Sequence, residues 1–132
     1  MSSFLQFLRK LLLVGDGLIF LFFAVCTTVS IGYTADFYAL TPVAIGGDSE
    51  FRAVFMGFWL GLTILFFQAL RRYRLAILGD MAFMLVLCQS LGRLYSMAVD
   101  GMPPARFVAF FVLESSTSII GLLIRPRQAP ES

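Results

Sequence analysis

The chain has no histidine, only two cysteines, and few charges. Asp, Glu, Lys and Arg make up 14% of its 132 residues, against about a quarter in soluble domains. Each shortage excludes something. Without imidazole, and with Cys26 and Cys88 as the only thiols, no conventional zinc or soft-metal ligand set can be assembled, and neither a metal nor another cofactor is expected. Both cysteines fall within apolar runs, where they read as small apolar side chains rather than a redox pair. No nucleophile–base pair is visible, so the chain is read as non-enzymatic. The net charge is only +2, and the basic residues cluster at the edges of apolar segments. Nucleic acid, which calls for a basic face interleaved with exposed aromatics, is therefore not an expected partner.

What remains is suited to lipid. Hydrophobic residues are 59% of the chain, fifteen of them Phe, and mean hydropathy is +0.88. A helix crosses hydrocarbon with about 20 residues, and four runs reach that length, at about 11–33, 51–70, 75–99 and 105–124. Residues 1–10 form an amphipathic lead-in ending in Arg9 and Lys10, and residues 125–132 a polar tail. The first run exceeds the apolar core of a secretory signal and lacks a clean cleavage site after it. Pro42, Gly46 and Gly47 mark 34–50 as a loop, while Asp100-Gly101-Met102-Pro103-Pro104 is a turn by composition. The expected fold is thus an all-α integral membrane protein, a bundle of four transmembrane helices. Arg9, Lys10, Arg71, Arg72, Arg74, Arg125 and Arg127 flank one side, and Arg52, Arg93 and Arg106 the other. The positive-inside rule then puts both termini in the cytoplasm. Leu11–Asp16 and Leu75–Asp80 open their runs alike, as a duplicated hairpin would. Gly57 and Gly61 form a GxxxG step able to seat a helix closely, within the bundle or between copies in a homo-oligomer.

Ionisable residues inside apolar runs are functional candidates, because hydrocarbon penalises charge. Asp16 and Asp80 are expected near the cytoplasmic entry of their helices, anchored by Arg9, Lys10 or the Arg71–Arg74 turn, with a proton-relay role for the paired acids as the alternative. Gln89, Arg93, Ser96 and Asp100 line one face of the third run, and Glu114, Thr117, Ser118 and Gly121 one face of the fourth. Helices joined by so short a turn pack antiparallel. Arg93 and Glu114 should therefore pair, either to lock the bundle or to form a polar pocket at the outer face with Ser96. Glu50 and Arg52 are candidates for its mouth. Such a pocket suits a lipid headgroup or a small anion. Asp80, thirteen residues from Arg93, lies outside it.

Glu50-Phe51-Arg52, Gly92-Arg93-Leu94-Tyr95-Ser96, Asp100-Gly101-Met102-Pro103 and a mid-helix Glu114 together resemble domain-of-unknown-function family 4345. That resemblance implies a small four-span protein of the bacterial inner membrane with no attached catalytic activity. The expected role is an accessory factor in cell-envelope or lipid homeostasis, the alternative an oligomeric carrier of a small substrate or lipid.

Overall fold

The structure is a computed structural model describing residues 3–41 and 45–126. The described residues form helices α1 (Ser3–Val29), α2 (Ile31–Tyr38), α3 (Ile45–Arg52), a π-helical stretch (Ala53–Phe58), α4 (Trp59–Arg71), α5 (Ala76–Asp100) and α6 (Ala105–Leu123). Four stretches are long and apolar enough to cross a membrane: Ser3–Val29, Ala53–Arg71, Ala76–Asp100 and Ala105–Leu123. No more than 39% of the most apolar window of any of them is buried inside the bundle. The remaining apolar surface has no protein over it and suits hydrocarbon, while each helix satisfies its own backbone as lipid requires. The chain is a multi-pass membrane protein.

Two boundaries differ from the sequence reading. The lead-in is helical and continuous with α1, which therefore runs 27 residues, about 40 Å at 1.5 Å per residue. The stretch 34–50 is largely helical, shared between α2 and α3. At Ser30 the backbone turns extended (φ −156°, ψ 119°) and α2 folds back. The Tyr38 ring thereby reaches 5.6 Å from that of Phe23, whereas an unbroken helix would hold those residues roughly 22 Å apart. Ala39 ends α2 at φ 54°. The Leu40 N–H then donates to the Ala35 carbonyl at 2.9 Å, closing the helix in the manner of a Schellman motif without its usual glycine.

The long helices form a closed ring in which α1 packs on α4, α4 on α5, α5 on α6, and α6 on α1. The buried face of α1 reads Arg9, Leu13, Asp16, Phe20, Phe23 and Thr27, alternating steps of four and three that form a single seam. Gly17 lets α4 approach, since a Cβ there would lie 3.2 Å from Cβ of Phe66. Phe20, Phe23, Trp59, Phe66 and Phe83 fill the core with edge-on and stacked rings. Arg9 touches the carbonyls of Gly121 and Ile124, so both ends of the bundle chain lie at one end of the molecule, hereafter the basic end. The α2 helix covers the other.

The Gly57–Gly61 step does not seat a helix within the bundle. Both glycines are exposed; a Cβ on Gly61 would meet nothing within 4 Å, and one on Gly57 only the Arg52 carbonyl at 3.9 Å. The π-helical stretch interrupts the four-residue phase on which such a stripe depends.

Candidate functional site

The polar faces of α5 and α6 meet. Arg93 donates from Nε to Oε2 of Glu114 at 2.9 Å and from Nη2 to Oε1 at 3.1 Å, the two-point geometry that makes such pairs specific. Gln89 Nε2 also donates to Oε1 of Glu114 at 3.1 Å. The register is held one turn away, where the Ser90 hydroxyl donates to the Phe111 carbonyl at 3.4 Å and shares a short hydrogen bond with the Ser115 hydroxyl. Gly101, at φ 94°, supplies the left-handed residue that turns the chain between the helices. Arg93 and Glu114 side chains are 20% and 12% exposed, so the pair is sheltered yet reachable.

Other expected members fall outside this pair. Ser96 donates to Asp100 at 2.9 Å, both exposed at the end of α5, so Asp100 engages its own helix rather than Arg93. The physical reason is the i, i+4 spacing, which puts the two side chains within reach before any neighbouring helix can compete. Arg52 is exposed and does not line the cleft described next; it is the last residue of α3, and the π-helical stretch after it brings Phe55 and Phe58 to the cleft instead. Glu50 lies outside the residues whose side chains are described.

Beside Arg93 opens a cleft of about 480 Å³, with Gln89, Arg93 and Ser96 on one wall and Tyr38, Phe55, Phe58, Trp59 and Phe107 among its aromatic lining. The π-helical stretch builds that wall. Phe51 stacks on Phe55 at 4.3 Å, and Phe55 meets Trp59 edge-on at 4.8 Å. Phe37 and Tyr38 lie among the rings of Phe23, Phe110, Phe55 and Trp59. Burial pushes the Tyr38 phenol up from its ordinary range, and the neighbouring Arg93 charge only partly offsets this.

Deeper in, a chamber of about 20 Å³ lies between Asp16, Gln89, Glu114 and the rings of Phe20, Phe23 and Trp59. Here the structure corrects the sequence reading. Asp16 is not anchored by basic residues near a helix entry; it is 7% exposed, faces Glu114, and its Oδ2 has no hydrogen-bond partner. The cause is the earlier start of α1, which places Asp16 at the fourteenth position of its helix.

Asp80 behaves as expected, and its partner is the residue that sequence reasoning undervalued. Arg9, 1% exposed, donates to the carbonyls of Gly121 (2.7 Å), Ile124 (2.6 Å) and Ala76 (3.2 Å) and to Oδ1 of Asp80 (2.9 Å). Its guanidinium also lies 5.6 Å from the Phe83 ring centre. Arg125, mostly exposed, takes the other Asp80 oxygen at 2.8 Å. One side chain thus satisfies carbonyls at the end of α6 that the helix leaves open. The signal was present: Arg9 stands on the same four-and-three seam as Leu13, Asp16 and Phe20. It was counted as a flanking charge because the seam was not extended back past Leu11.

Fold and polar clusters together define a small four-span membrane bundle with one ion-pair cluster at its basic end and a second, part-buried one between α5 and α6. The chain belongs to DUF4345, a domain-of-unknown-function family, whose profile matches residues 8–124. That range takes in Arg9, Asp80, Arg93 and Glu114, three of the spans whole and the first from residue 8 onward. No curated protein and no solved structure matches the chain significantly. Among the described residues no group of three or more His, Cys, Asp and Glu could hold a metal ion.

Proposed function

We propose that the protein is a non-enzymatic accessory factor of the bacterial inner membrane, whose outer vestibule receives the phosphate or carboxylate headgroup of a membrane amphiphile in the service of envelope or lipid homeostasis. The observation that carries this is the 480 Å³ cleft itself, aromatic-walled and edged by Arg93. Glu114 takes Nε and one Nη2 hydrogen of that guanidinium and the Tyr38 hydroxyl shares a further hydrogen bond with it, so that of its five N–H donors two remain for a headgroup oxygen. Aromatic walls beside a single bidentate cation are the composition expected of a site that orients an amphiphile by its polar end. The grouping of Lys10, Arg71, Arg72, Arg74 and Arg125 at the end opposite the cleft supports a cytoplasmic basic end and an outward vestibule.

Native mass spectrometry of the protein released from mild detergent is the test. A phospholipid or other acidic amphiphile should be retained by the wild type and its occupancy should fall at least about tenfold in Arg93→Ala, the loss of one charge-assisted contact of roughly 1.5–3 kcal/mol. Circular dichroism distinguishes lost binding from lost fold, and Phe58→Ala, which leaves the ion pair intact, should weaken retention as well. A wild-type protein that flies without ligand from several mild detergents would refute the proposal.

A further inference from the structure

The inner chamber has contents that the vestibule reading does not use. Asp16 comes from α1, Glu114 from α6, Gln89 from α5, Tyr38 from α2, and α4 contributes Trp59 but no charge; outside the lining, Thr117 of α6 hydrogen-bonds Asp16 and Arg93 of α5 holds Glu114. Arg9 stands seven residues before Asp16 on the same helix, about 10 Å along it, and is committed to Asp80. The cluster therefore holds two carboxyl groups and one guanidinium, and that guanidinium is already bound at two points to Glu114. Asp16 has no counter-charge. Its Oδ2 is unpartnered, buried, and beside a cavity of about 20 Å³, a size that admits one water and little else. A buried polar oxygen left without a partner is a rare and costly arrangement, and a carboxyl pair closely sharing a site does not ionise independently.

We propose that this chamber is a proton site: it holds one water, through which Asp16 and Glu114 share a single proton. The proton balances the second carboxyl group, so that the cluster of two acids, one guanidinium and one proton is neutral within the bundle. The water donates to the free Asp16 oxygen and meets the Glu114 and Gln89 end of the chamber. Tyr38, Trp59 and Gln89 border both the chamber and the 480 Å³ cleft, so the exchange route for this proton is the vestibule. Nothing in this requires a headgroup in the cleft, and the site stands whether or not an amphiphile binds there.

Infrared spectroscopy of the full chain in lipid nanodiscs reads the proton directly. At neutral pH surface carboxyl groups are ionised, and the wild type should show one protonated-carboxyl C=O band. The band should shift when the folded protein is moved into D2O. It should be lost in Asp16→Asn, whose neutral amide leaves Glu114 paired with Arg93, and should double in area in Arg93→Gln, where two acids lose their only cation. Glu114→Gln, with Asp16 then the only acid beside Arg93, gives a second assignment should Asp16→Asn fold poorly: its band should weaken or vanish. Absence of any protonated-carboxyl band in the wild type overturns the proposal. So does a band indifferent to both acid substitutions, an unchanged area in Arg93→Gln, or a band in the wild type that never exchanges in D2O.

Discussion

Replacing Arg9 with Leu should cost the protein about 3–5 kcal/mol, the loss typical of removing one partner from a buried ionic contact. Four acceptors lose their donor at once: the carbonyls of Gly121, Ile124 and Ala76, and Oδ1 of Asp80. Three helices meet there, because Arg9 is on α1, Ala76 and Asp80 on α5, and Gly121 on α6. Lysine should rescue little. A single ammonium with three donors cannot reproduce the planar fork that reaches carbonyls on two helices together. Asp80→Asn should be milder than Arg9→Leu, since an amide oxygen can still accept from Arg9 and the three carbonyl bonds survive. The measurement is unfolding in mixed micelles against increasing denaturing detergent, followed by fluorescence of Trp59, the only tryptophan, which is 5% exposed. An Arg9→Leu protein as resistant as the wild type would show that these bonds add nothing to the bundle.

Gly121→Val should disrupt the same end by a different route. A Cβ on Gly121 would sit 2.5 Å from Cε2 and Cζ of Phe83, closer than any real contact. Phe83 cannot withdraw easily: it is fully buried, meets Phe66 edge-on at 5.7 Å, and has the Arg9 guanidinium 5.6 Å from its ring centre. Overpacking of this kind costs typically 1–3 kcal/mol, and valine adds two methyl groups beyond the offending Cβ. Gly121→Ala should already be destabilising. Gly61→Ala is the control, because a Cβ there meets nothing within 4 Å. In a helix interior it should be neutral or slightly stabilising through alanine's better propensity. If the two alanine variants unfold alike, close approach at Gly121 is not what holds α5 to α6. The two predictions are coupled, since Arg9 and Gly121 share Phe83, so the double variant should lose less than the sum of the singles.

The Arg93–Glu114 pair was legible before any coordinates because its logic is local. The four-residue connection 101–104 forces α5 and α6 antiparallel, and two polar stripes at helical spacing on such helices have one another as nearest partners. Asp80 with a basic partner was legible for the same reason, its position one turn inside a helix flanked by arginine. Asp16 was not. Its depth depends on where α1 begins, and the polar residues Ser3, Gln6 and Arg9 hide that start from a hydropathy count. The GxxxG step fails only as a seat within the bundle: a π-helical stretch, which sequence periodicity does not report, runs through Gly57, and both glycines are exposed.

Composition by itself determined that this chain is a four-span helical membrane protein, because hydrocarbon admits few solutions to the backbone hydrogen-bonding problem and four long apolar runs select one of them. The order of the runs also determined the pairing of α4 with α5 and of α5 with α6, whose connections are short. Tertiary structure alone decided which polar residues share a chamber. Asp16 and Glu114 are 98 residues apart in sequence, and the closure of α6 onto α1 brings them together. That closure depends on the reach of Arg9 from α1 to the carbonyls of Gly121 and Ile124, while the fit of Gly121 to Phe83 seats α6 on α5. Such steric fit lies in the shapes of side chains meeting in space, where no spacing along the chain records it.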